Sequence, residues 1–231
     1  MWCGKAGGSS PSATTMQKKV IFYAVWVALL SIAVATAFLN TPASSIFMHK
    51  AATMNFIQRL LGLTAFTMLF SQIVLGAYMD KFVQKLGGWV FNFHVFQGRL
   101  IFLLIVLHPL IYVFYRYFAG MKPDALGTFL DVCVLCKNNV EFYFSFGRIA
   151  FWLVNIGVLA AVFRAANPFM RVHWRKFHIL NYLAFLFTGI HGYFLGTDFS
   201  AMPFFAFGIL ASLIIVGIII TRLPTLIREF K

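Results

Sequence analysis

The chain is 231 residues long, 61% hydrophobic and only 11% charged, with 29 phenylalanines. A soluble domain carries about 25% charged residues, so this composition excludes a soluble globular protein and predicts an integral membrane protein built as one bundle. The net charge of +13 does not indicate nucleic-acid binding, because the basic residues gather in short segments between apolar stretches, where Lys and Arg set membrane orientation. We therefore expect the lipid bilayer as a partner and no nucleic acid.

Six apolar stretches are long enough to cross a bilayer, which takes about 20 helical residues. The sequence thus predicts an all-α membrane protein, a six-transmembrane-helix bundle. The predicted spans are residues 20–39, 56–79, 94–118, 146–163, 177–195 and 203–221. The first fifteen residues are rich in Gly, Ser and Ala and favour disorder. The chain then divides into a disordered N-terminal segment (1–19), a transmembrane domain (20–221) and a C-terminal tail (222–231).

The basic residues predict how the bundle is oriented. Clusters of Lys and Arg lie before the first span, between the second and third, between the fourth and fifth, and after the sixth. In a six-span bundle these clusters share one side of the membrane, and positive charge favours the cytoplasmic side. We expect a multi-pass protein of the plasma or inner membrane with both termini cytoplasmic.

The connection between the third and fourth spans is the longest one on the outer side, and it contains Cys133 and Cys136. A lone C-x-x-C lacks the second pair of ligands that a zinc site needs. Two alternatives stay open at this point. The cysteines are free thiols, or they form a local disulfide if the loop faces an oxidising compartment.

Four histidines form two pairs inside apolar stretches, His94 with His108 in the third span and His178 with His191 in the fifth. Ionisable side chains are costly at bilayer depth and mark a pathway or a cofactor, and neutral imidazole is a good metal ligand. In the predicted orientation His94 and His178 lie near the cytoplasmic face, and the other two lie deeper toward the outside. The sequence predicts two stacked bis-histidine haem b groups between the third and fifth helices.

Ideal helix geometry suits one pair better than the other. The fourteen helical steps from His94 to His108 leave the two side chains within about 40° of one face and about 21 Å apart along the axis. The thirteen steps from His178 to His191 leave these two histidines about 140° apart. We expect either that the two haems use different flanks of this span or that it is distorted near Gly189 and Gly192.

Haem propionates are carboxylates and need cationic partners. Arg99 and Arg175 lie close in sequence to the inner histidines, and Arg59 and Arg148 lie at the outer ends of the second and fourth spans. These arginines are the predicted cofactor-binding residues, and the alternative for each is snorkelling to lipid head groups. Gly98 is predicted to let a porphyrin approach the third helix closely.

These motifs resemble the ferric reductase-like transmembrane domain, which ferric reductases, NADPH oxidases and the haem-binding subunit of a bacterial methionine sulfoxide reductase system share. The resemblance covers residues 20–221 and rests on HVFQGRLIFLLIVLH, HILNYLAFLFTGIH and WRKFHILNY leading to HGYFLGTD. The unequal spacing is similar to that of the oxidases. There, a second histidine one turn beyond the outer ligand helps form an oxygen-reducing pocket, where this chain has Tyr112, and Arg59 matches that pocket's arginine.

The histidine pairs and the resemblance together imply an enzyme, a di-haem b transmembrane oxidoreductase. Electrons would pass from a cytoplasmic flavin-dependent reductase to an external acceptor, with ferric iron or a partner protein expected first and oxygen next. No G-x-G-x-x-G occurs in a strand–helix setting, so we expect no flavin or nucleotide site in this chain and no catalytic side chain beyond the haem ligands. Two alternatives remain, a quinone-linked cytochrome b-type subunit and a non-catalytic haem-bearing membrane anchor.

Overall fold

The computed structural model describes residues 13–229, and the side chains of residues 16–222. The described residues form ten α-helices and no strand. The helices are α1 (Ala13–Leu39), α2 (Ala43–Ile46), α3 (Lys50–Ala77), α4 (Met79–Leu86), α5 (Trp89–Phe118), α6 (Ala125–Leu130), α7 (Asn139–Phe163), α8 (Pro168–His178), α9 (Leu180–Leu195) and α10 (Phe204–Glu229). The predicted disordered segment lies largely outside the described residues, and its last seven, 13–19, are helical. Helix α10 continues through most of the predicted tail.

Five of the described helices are long and apolar enough to cross a membrane, which supports an integral multi-pass membrane protein. These spans are Met16–Leu39, Lys50–Ala77, Trp89–Phe118, Asn139–Phe163 and Phe204–Arg222. Several extend past the predicted apolar stretches because polar side chains cap their ends. His49 Nδ1 accepts a hydrogen bond from the Ala52 amide at the start of α3, and Asn138 accepts one from the Val140 amide at the start of α7.

The described part of the chain has five helices long and apolar enough to cross a membrane where the sequence predicted six, because the predicted fifth span is not one continuous helix. Residues 177–195 belong to two helices, because α8 ends at His178 and α9 begins at Leu180. Helix α9 has 16 residues and is about 24 Å long, which is shorter than the hydrocarbon core of about 30 Å. Helix α8 carries basic residues in its last turn, so it adds no apolar length.

Helix α3 lies at the centre of the bundle and contacts α1, α5, α9 and α10. Its Phe66 ring stacks on Phe185 of α9 with 4.5 Å between centroids, and Phe199, Phe204 and Phe207 pack around this stack. Phe185 is fully buried. Aromatic rings bury large apolar areas, so this cluster holds α3, α9 and α10 together in the middle of the bundle.

Two tightly packed helix pairs position the histidines. Helix α3 packs along α5, and α7 packs along α9 and α8. The helices α5 and α8–α9 carry the four histidines, and α3 and α7 lie behind them. Each histidine-bearing segment is therefore supported from behind by a neighbouring long helix.

Candidate haem site

The structure brings together the histidines that the sequence analysis paired. The ring centroids of His94 and His178 are 6.5 Å apart, and those of His108 and His191 are 6.4 Å apart. The two pairs lie at two levels of the bundle. Helix α5 contributes one histidine to each level, and α8 and α9 contribute the second histidine of the inner and the outer level. A bundle of this size offers many other ways to place four histidines, so matched pairing at nearly equal distance is a specific feature.

The separation within each pair suits a metal between the two rings. Imidazole nitrogens bind transition metals at about 2.0–2.1 Å, so two rings that ligate one metal from opposite sides have centroids about 6 Å apart. Both observed separations are close to this value. No group of three or more His, Cys, Asp or Glu side chains suited to a bare metal ion is found in the described part of the chain. Axial ligation of a haem needs only two protein ligands, which is what each level provides.

The break between α8 and α9 lies next to a candidate ligand. Ile179 lies between His178 and Leu180, and its carbonyl accepts a hydrogen bond from the Tyr182 amide, an i→i+3 turn. Such a turn has 3.0 residues per turn rather than 3.6. The expected distortion near Gly189 and Gly192 is not observed, because α9 runs through both. The interruption lies at the other end of the helix, at Ile179.

Three of the four histidines are anchored by a backbone carbonyl of the helix behind them. Nδ1 of His108 lies 2.8 Å from the Gln58 carbonyl, Nδ1 of His178 lies 3.2 Å from that of Gly157, and Nδ1 of His191 lies 3.2 Å from that of Tyr143. A carbonyl only accepts, so Nδ1 of His108 and of His191 carries the proton, and Nε2 of each neutral ring keeps its lone pair. Metal-ligating histidines commonly donate their second nitrogen in this way, which fixes the tautomer and the ring orientation.

Glycines on α3 and α7 make room for these rings. A Cβ at Gly62 would lie 2.8 Å from Cε1 of His108, and a Cβ at Gly147 would lie 2.7 Å from Nδ1 of His191. Both glycines lie four residues after the carbonyl that accepts from the same histidine. Removing the side chain at this position lets the imidazole reach a carbonyl that is already inside a helix. Small residues allow such close approach between membrane helices.

The inner pair is held differently. A Cβ at Gly76 would lie 3.3 Å from Cε1 of His94, a looser contact than at the outer level. Nδ1 of His94 is buried and has no hydrogen-bond partner within residues 16–222. Its backbone carbonyl accepts from Gln72 Nε2 at 2.9 Å, and Gln72 in turn accepts from the fully buried Gln97. His94 therefore lacks the carbonyl contact through Nδ1 that the other three histidines make.

These observations fit two bis-histidine haems. The donor set is two neutral imidazoles at each level, the spacing suits one metal between them, and the glycines give the rings a fixed seat. These glycines were not predicted from the sequence. Their spacing on α3 could have indicated them, because Gly62 and Gly76 are fourteen positions apart, as are the two histidines of α5.

The structure pairs Arg59 with an acid. Its guanidinium binds the carboxylate of Asp198 in a two-pronged contact, with Nε 2.7 Å from Oδ2 and Nη2 hydrogen-bonded to Oδ1. Nη2 also donates to Thr41 at 2.9 Å, and Asn40 donates to Asp198 at 3.2 Å. Asp198 is 1% exposed. Arg59 thus links α3 to the loops after α1 and α9. Asp198 was not predicted from the sequence as its partner.

Arg148 also makes contacts with the protein. Its Nη1 donates to the carbonyl of Asp131 and to Glu141 Oε2 at 3.1 Å, and its Nε donates to the carbonyl of Thr128 at 3.4 Å. Its guanidinium lies 5.6 Å from the Phe144 ring. Arg148 therefore fastens the connection that precedes α7, close to the outer histidine pair.

The remaining predicted cofactor residues lie near the inner pair. Arg99 is exposed, and it makes no hydrogen bond or ion pair within the part of the chain whose side chains are described. The guanidinium of Arg175 lies 5.9 Å from the ring of Trp174, which itself lies 5.5 Å from His178. A Cβ at Gly98 would lie 3.0 Å from Gln72 Nε2. Gly98 thus allows α5 to approach α3 through this glutamine.

We expect Asp198→Asn to destabilise the protein strongly, because it leaves the Arg59 charge without its partner in a largely buried position. Removing one partner of a buried ion pair costs about 3–5 kcal/mol of unfolding free energy. The measurement is thermal or denaturant unfolding in detergent, compared with Asp80→Asn, which changes an exposed acid of α4. That control should shift stability by no more than about 0.5 kcal/mol. Equal stability of the two variants, with outer haem lost only from Asp198→Asn, would instead assign Arg59 to the haem.

The two cysteines of the outer connection are joined as a Cys133–Cys136 disulfide. Of the two alternatives left open by the sequence, the structure has the local disulfide. It lies between α6 and α7.

Comparison with known proteins adds no relative. No protein-family model matches the chain, and no curated protein or solved structure is detectably similar to it. The resemblance to the ferric reductase-like transmembrane domain therefore stays a prediction that rests on the histidine spacing and flanking motifs.

Proposed function

We propose that this chain is a di-haem b transmembrane oxidoreductase that carries electrons from a cytoplasmic reductase to an acceptor outside the membrane. The observation that carries the proposal is the pairing of four histidines at two levels of one bundle, with ring centroids 6.4 and 6.5 Å apart. The carbonyl contacts of His108 and His191 support it, since they leave Nε2 of both outer rings as the metal-binding nitrogen.

The four histidines hold the cofactors in this proposal. His94 and His178 hold the inner haem, and His108 and His191 hold the outer one. Bound haem supplies one-electron oxidation and reduction of iron. Each haem would be held by two imidazoles of the protein, so the acceptor would receive electrons without binding to the metal. The protein's role is to position the two haems and to keep the space between the levels apolar.

The region between the two levels is apolar and closely packed. Phe185 lies on α9 between His178 and His191 in sequence, is fully buried and stacks on Phe66. Polar groups there would need hydrogen-bond partners that an apolar core does not supply. We propose that this packing excludes water and protons, so that electrons alone pass between the levels.

The direction of transfer follows from the charge distribution. We propose that α8 and α9 together complete a sixth crossing, with the basic end of α8 on the cytoplasmic side and the membrane thinned locally around the short α9. Both termini are then cytoplasmic, and the positive inner face favours docking of a flavin-dependent reductase. An inside-negative potential assists outward transfer by about 2.3 kcal/mol per electron per 100 mV.

A quinone-linked cytochrome remains the second candidate because of one cavity. A mostly apolar groove of about 340 Å³ lies between α1, α3 and α4, with Trp26, Phe70 and Ser71 in its wall and Lys18 at its rim. The hydroxyl of Ser71 accepts from Gln97 Nε2 at 3.0 Å, in the same network that reaches the His94 carbonyl. A quinol would fit such a site beside the inner level, whereas a reductase needs no cavity there.

Reoxidation of the reduced protein separates an oxidoreductase from a haem-bearing anchor. Purified protein is reduced with one equivalent of dithionite per haem and then mixed with a ferric chelate, with oxygenated buffer or with buffer alone. We expect the chelate to restore the oxidised spectrum fastest. His191→Ala provides the matched control, because its inner haem should stay reduced in the presence of the chelate. Reoxidation that no acceptor accelerates would support the haem-bearing anchor. In a separate experiment on the oxidised protein, rapid reduction by a quinol would favour the quinone-linked alternative.

A further inference from the structure

The disulfide of the outer connection is accessible from solvent. Cys133 and Cys136 are each partly exposed, and the two residues between them, Val134 and Leu135, are 75% and 95% exposed. A disulfide between residues three apart closes a very short loop, and the stabilisation from chain entropy is smaller for shorter loops. Stability alone is therefore a weak reason for this bond.

The segment that carries the disulfide is fastened to the first turns of α7. The Cys133 amide donates to Ser145 Oγ at 2.8 Å, and Trp152 Nε1 donates to the Phe129 carbonyl at 2.9 Å. Arg148 binds the Thr128 and Asp131 carbonyls from the same helix. These hydrogen bonds fix the distance between the cysteines and α7.

The same turns of α7 contact the outer histidine pair. The Tyr143 carbonyl accepts from His191 Nδ1, the Phe144 ring lies 6.0 Å from the His191 ring, and Gly147 makes room for that imidazole. Ser145, which binds the Cys133 amide, lies between them in sequence. One helical segment, residues 143–147, therefore separates the disulfide from the outer pair.

We propose that the Cys133–Cys136 disulfide is redox-active and accepts electrons from the outer His108/His191 site. This inference rests on the proposed function, because it takes its electrons from the outer haem. Reduction of the disulfide would take two electrons, one at a time, from a haem held by His108 and His191, and two protons from water outside. The S–S bond would break and two S–H bonds would form, and the iron of that site would be oxidised once for each electron.

The resulting dithiol hands its electrons to an external disulfide. One cysteine, as thiolate, attacks a sulfur of the acceptor to give a mixed disulfide, and the second cysteine displaces the acceptor thiol and restores the Cys133–Cys136 bond. The acceptor gains two electrons and two protons and leaves as a dithiol. The exposed apolar side chains of Val134 and Leu135 suit contact with a protein partner. The acceptor served by this dithiol is a protein disulfide, beside the ferric chelate that takes electrons from the outer haem directly.

The test counts thiols rather than activity. The full chain with Cys3→Ser is purified with its haems and reduced through a low-potential one-electron mediator, while the haem spectrum is recorded. The reaction is then quenched in acid, and the free thiols are alkylated with N-ethylmaleimide. Intact mass then reports the alkylated cysteines. We expect two adducts per chain in this protein and none in the same chain with His191→Ala, whose retained inner-haem spectrum shows that it is folded. A second variant, Ser145→Ala, loses the hydrogen bond to Cys133 and should accumulate adducts more slowly.

The outcomes separate the two proposals. Reduced haems with an intact disulfide overturn the disulfide proposal and leave the proposed function in place. Equal adducts in the chain with His191→Ala also overturn it, because the mediator then reduces the disulfide directly. A preparation that binds no haem contradicts the proposed function and this inference together.

Discussion

Replacing His108 with alanine is expected to remove the outer haem and to leave the inner one bound. Haem content should fall from about two per chain to about one, since each haem needs both of its axial ligands. His191→Ala should give the same result, because it removes the second ring of the same pair, whose centroid lies 6.4 Å from that of His108. The measurement is haem quantitation together with the reduced spectrum of purified protein. Outward electron transfer should be lost in both variants.

Two other histidines serve as matched controls. His49 is exposed and caps α3, and the ring centroid of His173 lies 4.5 Å from that of Phe169. His49→Ala and His173→Ala should keep both haems. A loss of haem from these variants, or full haem content after His108→Ala, would contradict the assignment of the ligands.

Gly147→Ala is expected to weaken the outer haem although no ligand is changed. The new methyl group would lie 2.7 Å from Nδ1 of His191, so the ring must move away from the Tyr143 carbonyl. Loss of such a supporting contact lowers metal affinity by about 10–100-fold. Gly62→Ala should act in the same way through His108. The measurement is haem retention during gel filtration and transfer of haem to an excess of apomyoglobin.

The chain offers graded controls for the glycines. A Cβ at Gly76 would lie 3.3 Å from His94, so Gly76→Ala should have a smaller effect on the inner haem. A Cβ at Gly217 meets no described atom within 4 Å. Gly217→Ala should keep both haems and stabilise α10 by up to about 1 kcal/mol, because alanine has the higher helix propensity. Haem loss of equal size in all four variants would contradict the proposed seats.

The sequence was sufficient to predict which histidines pair. Their depth follows from the order of residues along two apolar stretches and from the basic clusters that flank them. The structure brings His94 to His178 and His108 to His191, as the depth argument required. Membrane composition and an all-helical fold could be predicted for the same reason, because both depend on apolar segment length.

Local interruptions were not predictable from apolar patterning. The stretch from 177 to 195 has the length of a span, and only the hydrogen bonds around Ile179 show that α8 ends at His178. The poor fit of this stretch to an ideal helix predicted either that the two haems use different flanks or that the helix is distorted. The distortion was assigned to Gly189 and Gly192 because glycine weakens helices, although α9 continues through both.

The partners of the arginines were also beyond the sequence. Arg59 and Asp198 are 139 residues apart, and nothing in either segment indicates that they meet. The close approach of the loop after α9 to the start of α3 depends on the packing of Phe199 against Phe66. Long-range contacts of this kind arise from the packing of the whole bundle rather than from any local pattern.

The most direct test of the central proposal is the haem content of the purified full chain, measured with its dithionite-reduced spectrum. Two bis-histidine sites predict a b-type spectrum and about two haems per chain. They also predict that the spectrum halves in His108→Ala and disappears when His94→Ala is added. A protein that binds no haem, or whose spectrum is unchanged by these substitutions, would contradict the account.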